Sequence, residues 1–223
     1  MRLIIFDCDG TLVDSQRAIC AAMTHAFCAL QLPVPPRAAI LSIVGLSLPQ
    51  VFAVLAADRP ASVQAKLAEL YRQDFPARRE PSAAHDPPFA GMAELVATLA
   101  RRDDIVLGMA TGKSRRGVAR LLEREGWAGH FLTIQTADDH PSKPDPAMIL
   151  QAMAEVGAGP HSTTMVGDTT YDIEMAVNAG VRGLGVGWGY HEPARLWQAG
   201  AQQVAVTSQD LLAAIDQPAQ VSA

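Results

Sequence analysis

No stretch of about 18 consecutive apolar residues occurs in the sequence, which removes a membrane-spanning helix from consideration. The first apolar run, Leu3–Phe6, is stopped by Asp7 and is too short for a secretory h-region. A cytoplasmic protein without a membrane partner is therefore expected. Cysteine is sparse: Cys8, Cys20 and Cys28 have no metal-site spacing, and an odd count makes a poor disulfide framework. Cys20 and Cys28 read as small buried residues of one helix. Lysine is equally rare, with only Lys66, Lys113 and Lys143, and the formal charge is -5. That balance argues against a nucleic-acid partner, whose phosphates are neutralised by clustered Lys and Arg. Repeats and low-complexity tracts are missing too. With 49% hydrophobic and 18% charged residues, the composition is that of a folded globular chain, not a disordered one.

What is present is an alternating pattern. Apolar, β-branched runs ending in Asp, Gly or Thr recur at Arg2–Asp7, Ile105–Thr111, Phe131–Thr136, Thr163–Asp168, Gly183–Gly187 and Gln203–Thr207. Helical periodicity lies between them at Met92–Arg102, Ser114–Glu125, Pro146–Val156, Tyr171–Ala179 and Glu192–Ala199. Strands alternating with helices predict right-handed βαβ crossovers and a doubly wound parallel α/β sheet. The rhythm breaks once. From Thr11 to about Phe89 there is no convincing strand, only helical patterns at Ser15–Leu32, Arg37–Val44, Leu48–Ala57 and Ala61–Arg79, with Pro33, Pro35, Pro36 and Pro60 at the joins. This predicts a helical module over residues 15–89 inserted into a core of residues 1–14 and 90–223. Val13–Gln16 and the Pro-rich segment Pro81–Gly91 are its expected connectors, and residues beyond Asp216 an expected frayed tail.

Parallel α/β sheets bind ligands at the carboxyl ends of their strands. The first strand ends in Asp7-Cys8-Asp9-Gly10-Thr11, the second in Thr111-Gly112-Lys113, and the fourth in Asp168-Thr169-Thr170-Tyr171-Asp172, while Lys143 sits in Ser142-Lys143-Pro144-Asp145-Pro146. Carboxylates as close as Asp7 and Asp9 split their pKa values, so that one acts as nucleophile and the other carries a proton. Gly10 lets the backbone approach a phosphate. Thr111 offers a hydroxyl and Gly112 an amide at a helix N-terminus. Asp7 and Asp168, on adjacent strands, suit Mg²⁺, which takes few carboxylates together with water and phosphate oxygen.

In order and over nearly the whole chain, Asp7-Cys8-Asp9-Gly10-Thr11-Leu12-Val13-Asp14-Ser15, Ala110-Thr111-Gly112-Lys113, Lys143-Pro144-Asp145-Pro146 and Val166-Gly167-Asp168-Thr169-Thr170-Tyr171-Asp172 resemble the haloacid dehalogenase superfamily, and within it the capped, phosphoglycolate-phosphatase-like subgroup. The resemblance implies a Rossmann-like core with a helical cap, and a Mg²⁺-dependent phosphatase working through an aspartyl-phosphate. It implies that Asp7 attacks phosphorus, that Asp9 protonates the leaving oxygen and then activates water, and that Thr111 and Lys143 are catalytic in holding the phosphoryl group beside Gly10 and Gly112. It further implies a metal site of Asp7, Asp168 and the main-chain carbonyl of Asp9, with Asp172 supporting it from outside. Gly112 departs from the Asn that many relatives carry after this Thr.

The implied substrate is a small-molecule phosphate ester, phosphoglycolate first, on a monomer or homodimer. In the cap, the turn Gly45-Leu46-Ser47 is expected to face the site, and Arg17 to reach a second anionic group. The alternatives are a β-phosphoglucomutase-like phosphomutase, a sugar or nucleotide phosphatase, and a non-catalytic phosphate-binding protein. A signalling receiver domain would place the acidic pair before its Thr and Lys, and a phosphonatase would need a cap lysine better placed than Lys66.

Overall fold

The computed structural model describes residues 1–77 and 86–217. Six parallel strands form one sheet: β1 (Arg2–Phe6), β2 (Ile105–Thr111), β3 (Phe131–Thr136), β4 (Thr163–Gly167), β5 (Arg182–Val186) and β6 (Gln203–Ala205), in the order β3-β2-β1-β4-β5-β6. β1 is central and pairs with β2 and β4, which explains its uninterrupted Leu-Ile-Ile-Phe. A strand covered on both faces needs apolar residues at every position.

Alternation divides those side chains between two layers. Ile4 and Phe6 join a cluster with α5 (Met92–Ala100), α6 (Arg115–Arg124) and α10 (Ser208–Asp216). Leu3 and Ile5 face the opposite way, toward α7 (Ala147–Val156) and α8 (Thr170–Asn178). α9 (Pro193–Gln198) closes the β5–β6 side. Every expected strand and core helix is found within a few residues of its expected bounds. α10 was not anticipated, although Thr207 and Asp210 form a capping box at its start, a T-x-x-D signature visible in sequence.

Between β1 and α5 lie α1 (Gln16–Ala29), α2 (Arg37–Leu41), α3 (Leu48–Leu55) and α4 (Ala61–Ala77); the expected end of the last, Arg79, is outside the described residues. These helices have their own apolar cluster, with Ile19, Met23, Phe27, Phe52 and Leu67 at its centre, each such burial stabilising by roughly 1.5–3 kcal/mol. Phe52 lies between Phe27, tilted against it, and Tyr71, edge-on to it, ring centroids 6.2 and 6.3 Å away.

The cysteine expectation fails here. Helix α1 buries Ile19, Ala22, Met23, Ala26 and Phe27, which turns Cys28 to solvent and leaves Cys20 half-buried.

The connector Pro81–Gly91, of which residues 81–85 lie outside the described residues, ends as a paired segment. Asp14 N–H donates to the Pro87 carbonyl at 2.9 Å, Phe89 N–H to Leu12 at 3.0 Å, and Val13 bridges Pro88. The two crossings between insertion and sheet are thus stitched side by side. Among the described residues no helix is long and apolar enough to cross a membrane.

Candidate active site

The strand order reverses between β1 and β4, and at such a switch point a doubly wound sheet opens a crevice beyond its carboxyl ends. Asp7 follows β1 and Asp168 follows β4, so topology alone brings these two acids together. Asp7, Asp168 and Asp172 are all buried, with one carboxylate oxygen of each within 4.8 Å of the others. Lys143, also fully buried, donates from Nζ to Asp7 Oδ1 at 2.7 Å and to Asp172 Oδ1 at 2.6 Å.

The remaining oxygens are nearly all held. Asp172 Oδ2 accepts from Thr169 N–H at 3.0 Å and Thr169 Oγ1 at 2.7 Å, closing a capping box at the start of α8. Asp168 Oδ1 accepts from Thr11 Oγ1 at 2.8 Å and its Oδ2 from Tyr190 N–H at 2.9 Å. Of these three carboxylates, only Asp7 has a buried oxygen, Oδ2, with no hydrogen-bond partner among the described residues. Gly10, at φ 96°, and Gly189 leave the space that Asp168 fills, since a Cβ on either would overlap its carboxylate.

Three buried carboxylates face one ammonium, and the electrostatics carry the mark of that imbalance. Asp7 is pushed up to about 6, chiefly by burial, with Asp172 and Asp9 adding to the rise and Lys143 opposing it. Burial, then Asp172 and Asp7, raise Asp168 well above the usual carboxylate range. Burial works against the Lys143 charge, yet Asp172 and Asp7 outweigh it and hold the ammonium protonated. Hard oxygen donors with an excess of negative charge and one orphaned buried oxygen fit Mg²⁺, which prefers carboxylates and retains water. The donor set has no sulfur or imidazole that would favour a softer metal.

Asp9 is set apart. Its carboxylate is outside the metal-like cluster and accepts from Lys113 Nζ at 2.6 Å and from Ser15 Oγ. Lys113, which sequence reading noted only by proximity, is nearly buried and so pairs the second acid as Lys143 pairs the first. Thr111 is buried at the end of β2, its Oγ1 accepting from Lys113 N–H at 3.1 Å.

Gly112 has a reason that its sequence did not disclose. A Cβ there would stand 2.7 Å from the Gly45 carbonyl oxygen and 2.9 Å from that of Leu46, because the insertion's loop rests on it. Ser47 N–H donates to Ser142 Oγ at 2.8 Å. The Ser42 carbonyl accepts from Tyr171 Oη at 3.2 Å and bonds His191 Nε2 at 3.0 Å. His191 Nδ1 accepts from Thr170 N–H at 3.0 Å, which fixes the tautomer with hydrogen on Nε2. The turn Gly45–Ser47 therefore faces the site, as expected. Arg17 is exposed on α1.

Sequence reading missed Thr11, Ser15, Tyr190 and His191. A signal for the last two existed, since Gly187–His191 follows β5 at the same edge of the sheet where ligands bind.

Residues 4–186 match the family model described as haloacid dehalogenase-like hydrolase. The chain belongs to that family. Among its relatives is the "Probable phosphatase IndB" of Dickeya dadantii, 37% identical over 216 residues, covering 95% of this chain and 92% of that protein. The tyrosine-protein kinase PtkA of Mycobacterium tuberculosis is 33% identical over 190 residues, covering 85% of this chain but only 63% of the kinase. The phosphoglycolate phosphatase of Agrobacterium fabrum is 30% identical over 193 residues, covering 84% and 81%. A solved hydrolase from Pseudomonas syringae superposes with TM-score 0.84 at 26% identity, covering 97% and 98%. The haloacid dehalogenase-like fold is thus shared over the insertion as well as the sheet.

Proposed function

We propose that this hydrolase is a Mg²⁺-dependent phosphatase of small-molecule phosphate monoesters that works through an aspartyl-phosphate on Asp7. The observation that carries the reading is the buried set of Asp7, Asp168, Asp172 and Lys143 at the switch point, with Asp7 Oδ2 left unpaired. The activities named for the IndB and phosphoglycolate phosphatase relatives support the same class of reaction, phosphoric monoester hydrolysis.

Asp7 and Asp168, with the main-chain carbonyl of Asp9, would hold the metal, and Asp172 would keep its neighbourhood in register through Lys143 and Thr169. When bound, Mg²⁺ would supply positive charge that offsets the surplus carboxylates and polarises a phosphoryl oxygen. An Asp7 carboxylate oxygen attacks phosphorus as the ester P–O bond breaks, and Asp9 gives its proton to the departing alkoxide. Water then attacks the phosphoryl group, loses its proton to Asp9, and the bond between phosphorus and Asp7 breaks. Thr111, Lys143 and the amides near Gly10 and Gly112 hold the phosphoryl oxygens in line, and positioning of this kind supplies most of the acceleration in phosphoryl transfer. Residues 15–89 act as a cap over a core of residues 1–14 and 90–223, excluding water while the cap is down. Phosphoglycolate is the first ester to try, with sugar and nucleotide phosphates beside it.

Phosphate release from that panel, with Mg²⁺ and with excess EDTA, tests the reading. Release should require the metal and vanish in Asp7→Asn without loss of the folded circular-dichroism spectrum. Turnover by Asp7→Asn, or turnover undiminished by EDTA, overturns it. Isomerised sugar phosphate without net release would transfer the site to a phosphomutase.

A further inference from the structure

Beside Lys113 a cleft of about 410 Å³ opens between the helical insertion and α6, within the range of roughly 300–1,000 Å³ that holds ligands of drug size. Phosphoglycolate, whose leaving group is a two-carbon acid, fills little of it. One wall is mostly apolar, formed by Ile19, Met23, Ile43, Val44 and Val51 of the insertion, with exposed Arg72 as its one cation. The other carries charge: Arg116 and Arg120, one turn apart on α6 and hence on the same face.

Their neighbours in sequence have work elsewhere. Arg115 is bonded to Asp139 through its guanidinium and to Asp138 through its N–H, and Lys113 is bonded to Asp9. Asp138 is the sole acid of the lining. Arg116 and Arg120 have no hydrogen bond or ion pair among the described residues, and Arg120 is half-buried. In a chain of formal charge -5, two uncompensated guanidiniums converging on one cleft make a local positive field that concentrates anions, and their planar forks suit carboxylate and phosphate oxygens.

We propose that the cleft selects phosphate monoesters whose leaving group is an apolar or aromatic body ending in a second anionic group, the body lying on the insertion wall and the anion on Arg116 and Arg120. This rests on the phosphatase reading and narrows it. It also assigns to α6 the anion contact that sequence reading gave to Arg17.

The test compares two synthetic esters, 4-(carboxymethyl)phenyl phosphate and its carboxamide, which differ in charge at the far end while the methylene insulates the departing phenolate. Charge-assisted hydrogen bonds of this kind correspond to roughly a tenfold to hundredfold preference, so the acid should show a KM lower by at least about tenfold, and kcat/KM above that for phosphoglycolate. In Arg116→Gln/Arg120→Gln the acid-to-amide ratio should collapse toward one, and Arg116→Lys/Arg120→Lys should recover part of it. A ratio near one in the unaltered protein, or one that survives the double Gln change, overturns the inference and leaves the phosphatase reading standing. No release from either ester while phosphoglycolate or another ester of the panel is hydrolysed overturns the inference alone, and no release from any of them with Mg²⁺ present overturns both.

Discussion

Gly112 offers the sharpest test of how the insertion meets the sheet. Its φ is outside the left-handed region, so backbone freedom does not explain the glycine; space does. In Gly112→Ala the new methyl would lie 2.7 Å from a backbone oxygen where ordinary contact begins at 3.4 Å, so the Gly45–Leu46 loop must retreat by about 0.7 Å. Backbone on both sides has little room to give, and overpacking of this kind costs about 1–3 kcal/mol. On the proposed cap motion, only the closed arrangement bears that cost, because lifting the loop relieves it. The closed population relative to the open one should fall by roughly 5- to 150-fold, and kcat/KM for phosphate release with it, while thermal stability changes little. The Gly112 amide is retained in the variant, so loss of a phosphate contact is not an explanation. Hydrogen exchange gives an independent reading: the Ser47 amide, bonded to Ser142 Oγ in the closed form, should exchange faster by a similar factor. A Gly112→Ala protein with kcat/KM within about twofold of the original and unchanged Ser47 exchange would refute the reasoning.

Two further outcomes follow from the site. Asp9→Asn should slow release from alkyl phosphates by roughly 10²–10⁴-fold, the usual worth of a positioned acid, and slow aryl phosphates much less; equal losses on both would remove Asp9 from that role. His191 is held below its ordinary 6.5, by burial first, so between that value and its folded-state one the unfolded chain binds the extra proton. The stability it contributes is complete above about 6.5 and is lost as pH falls through the lower folded value. His191→Asn should therefore flatten the decline in Tm between pH 7 and 5, measured against the original protein so that the opposite contribution of raised Asp7 cancels. Parallel Tm curves for the two proteins would count against a neutral His191 tying Ser42 to Thr170.

What could be read from sequence was whatever depends on short-range pattern. The β-branched runs ending in acids located the strands, and strand-end placement located Asp7, Thr111 and Asp168 because the α/β fold puts all such ends on one edge. Lys143 stood out as one of only three lysines, in the loop Ser142–Pro146 beside these strand ends, but its burial between two carboxylates needed the fold. What was not legible depends on how the insertion sits on the sheet. Nothing within α1 says that Arg17 points to solvent, and nothing within α6 says that Arg116 and Arg120 look into a cleft. Gly112 seemed a lost polar contact until the loop pressed against it came into view. Cys28 was misplaced by one step of helical rotation, because Phe27 takes the inward position. Lys113 lay in plain sight, but its pairing with Asp9 is a contact across 104 positions of chain.

The stitched crossings at Leu12–Asp14 and Pro87–Phe89 have an evolutionary consequence. They make everything between them a loop whose ends are already joined, and the entropy of closing a loop grows only with the logarithm of its length, about 0.6 kcal/mol per doubling. Helices can be lengthened, exchanged or remodelled inside that loop at almost no charge to the sheet, whose pairing of β1 with β2 and β4 does not depend on what the loop contains. On the proposed function, recognition by the insertion and chemistry at the sheet edge would thereby come under separate selection in one continuous chain, and a lineage could change what it binds while the acids of the switch point stay where they are.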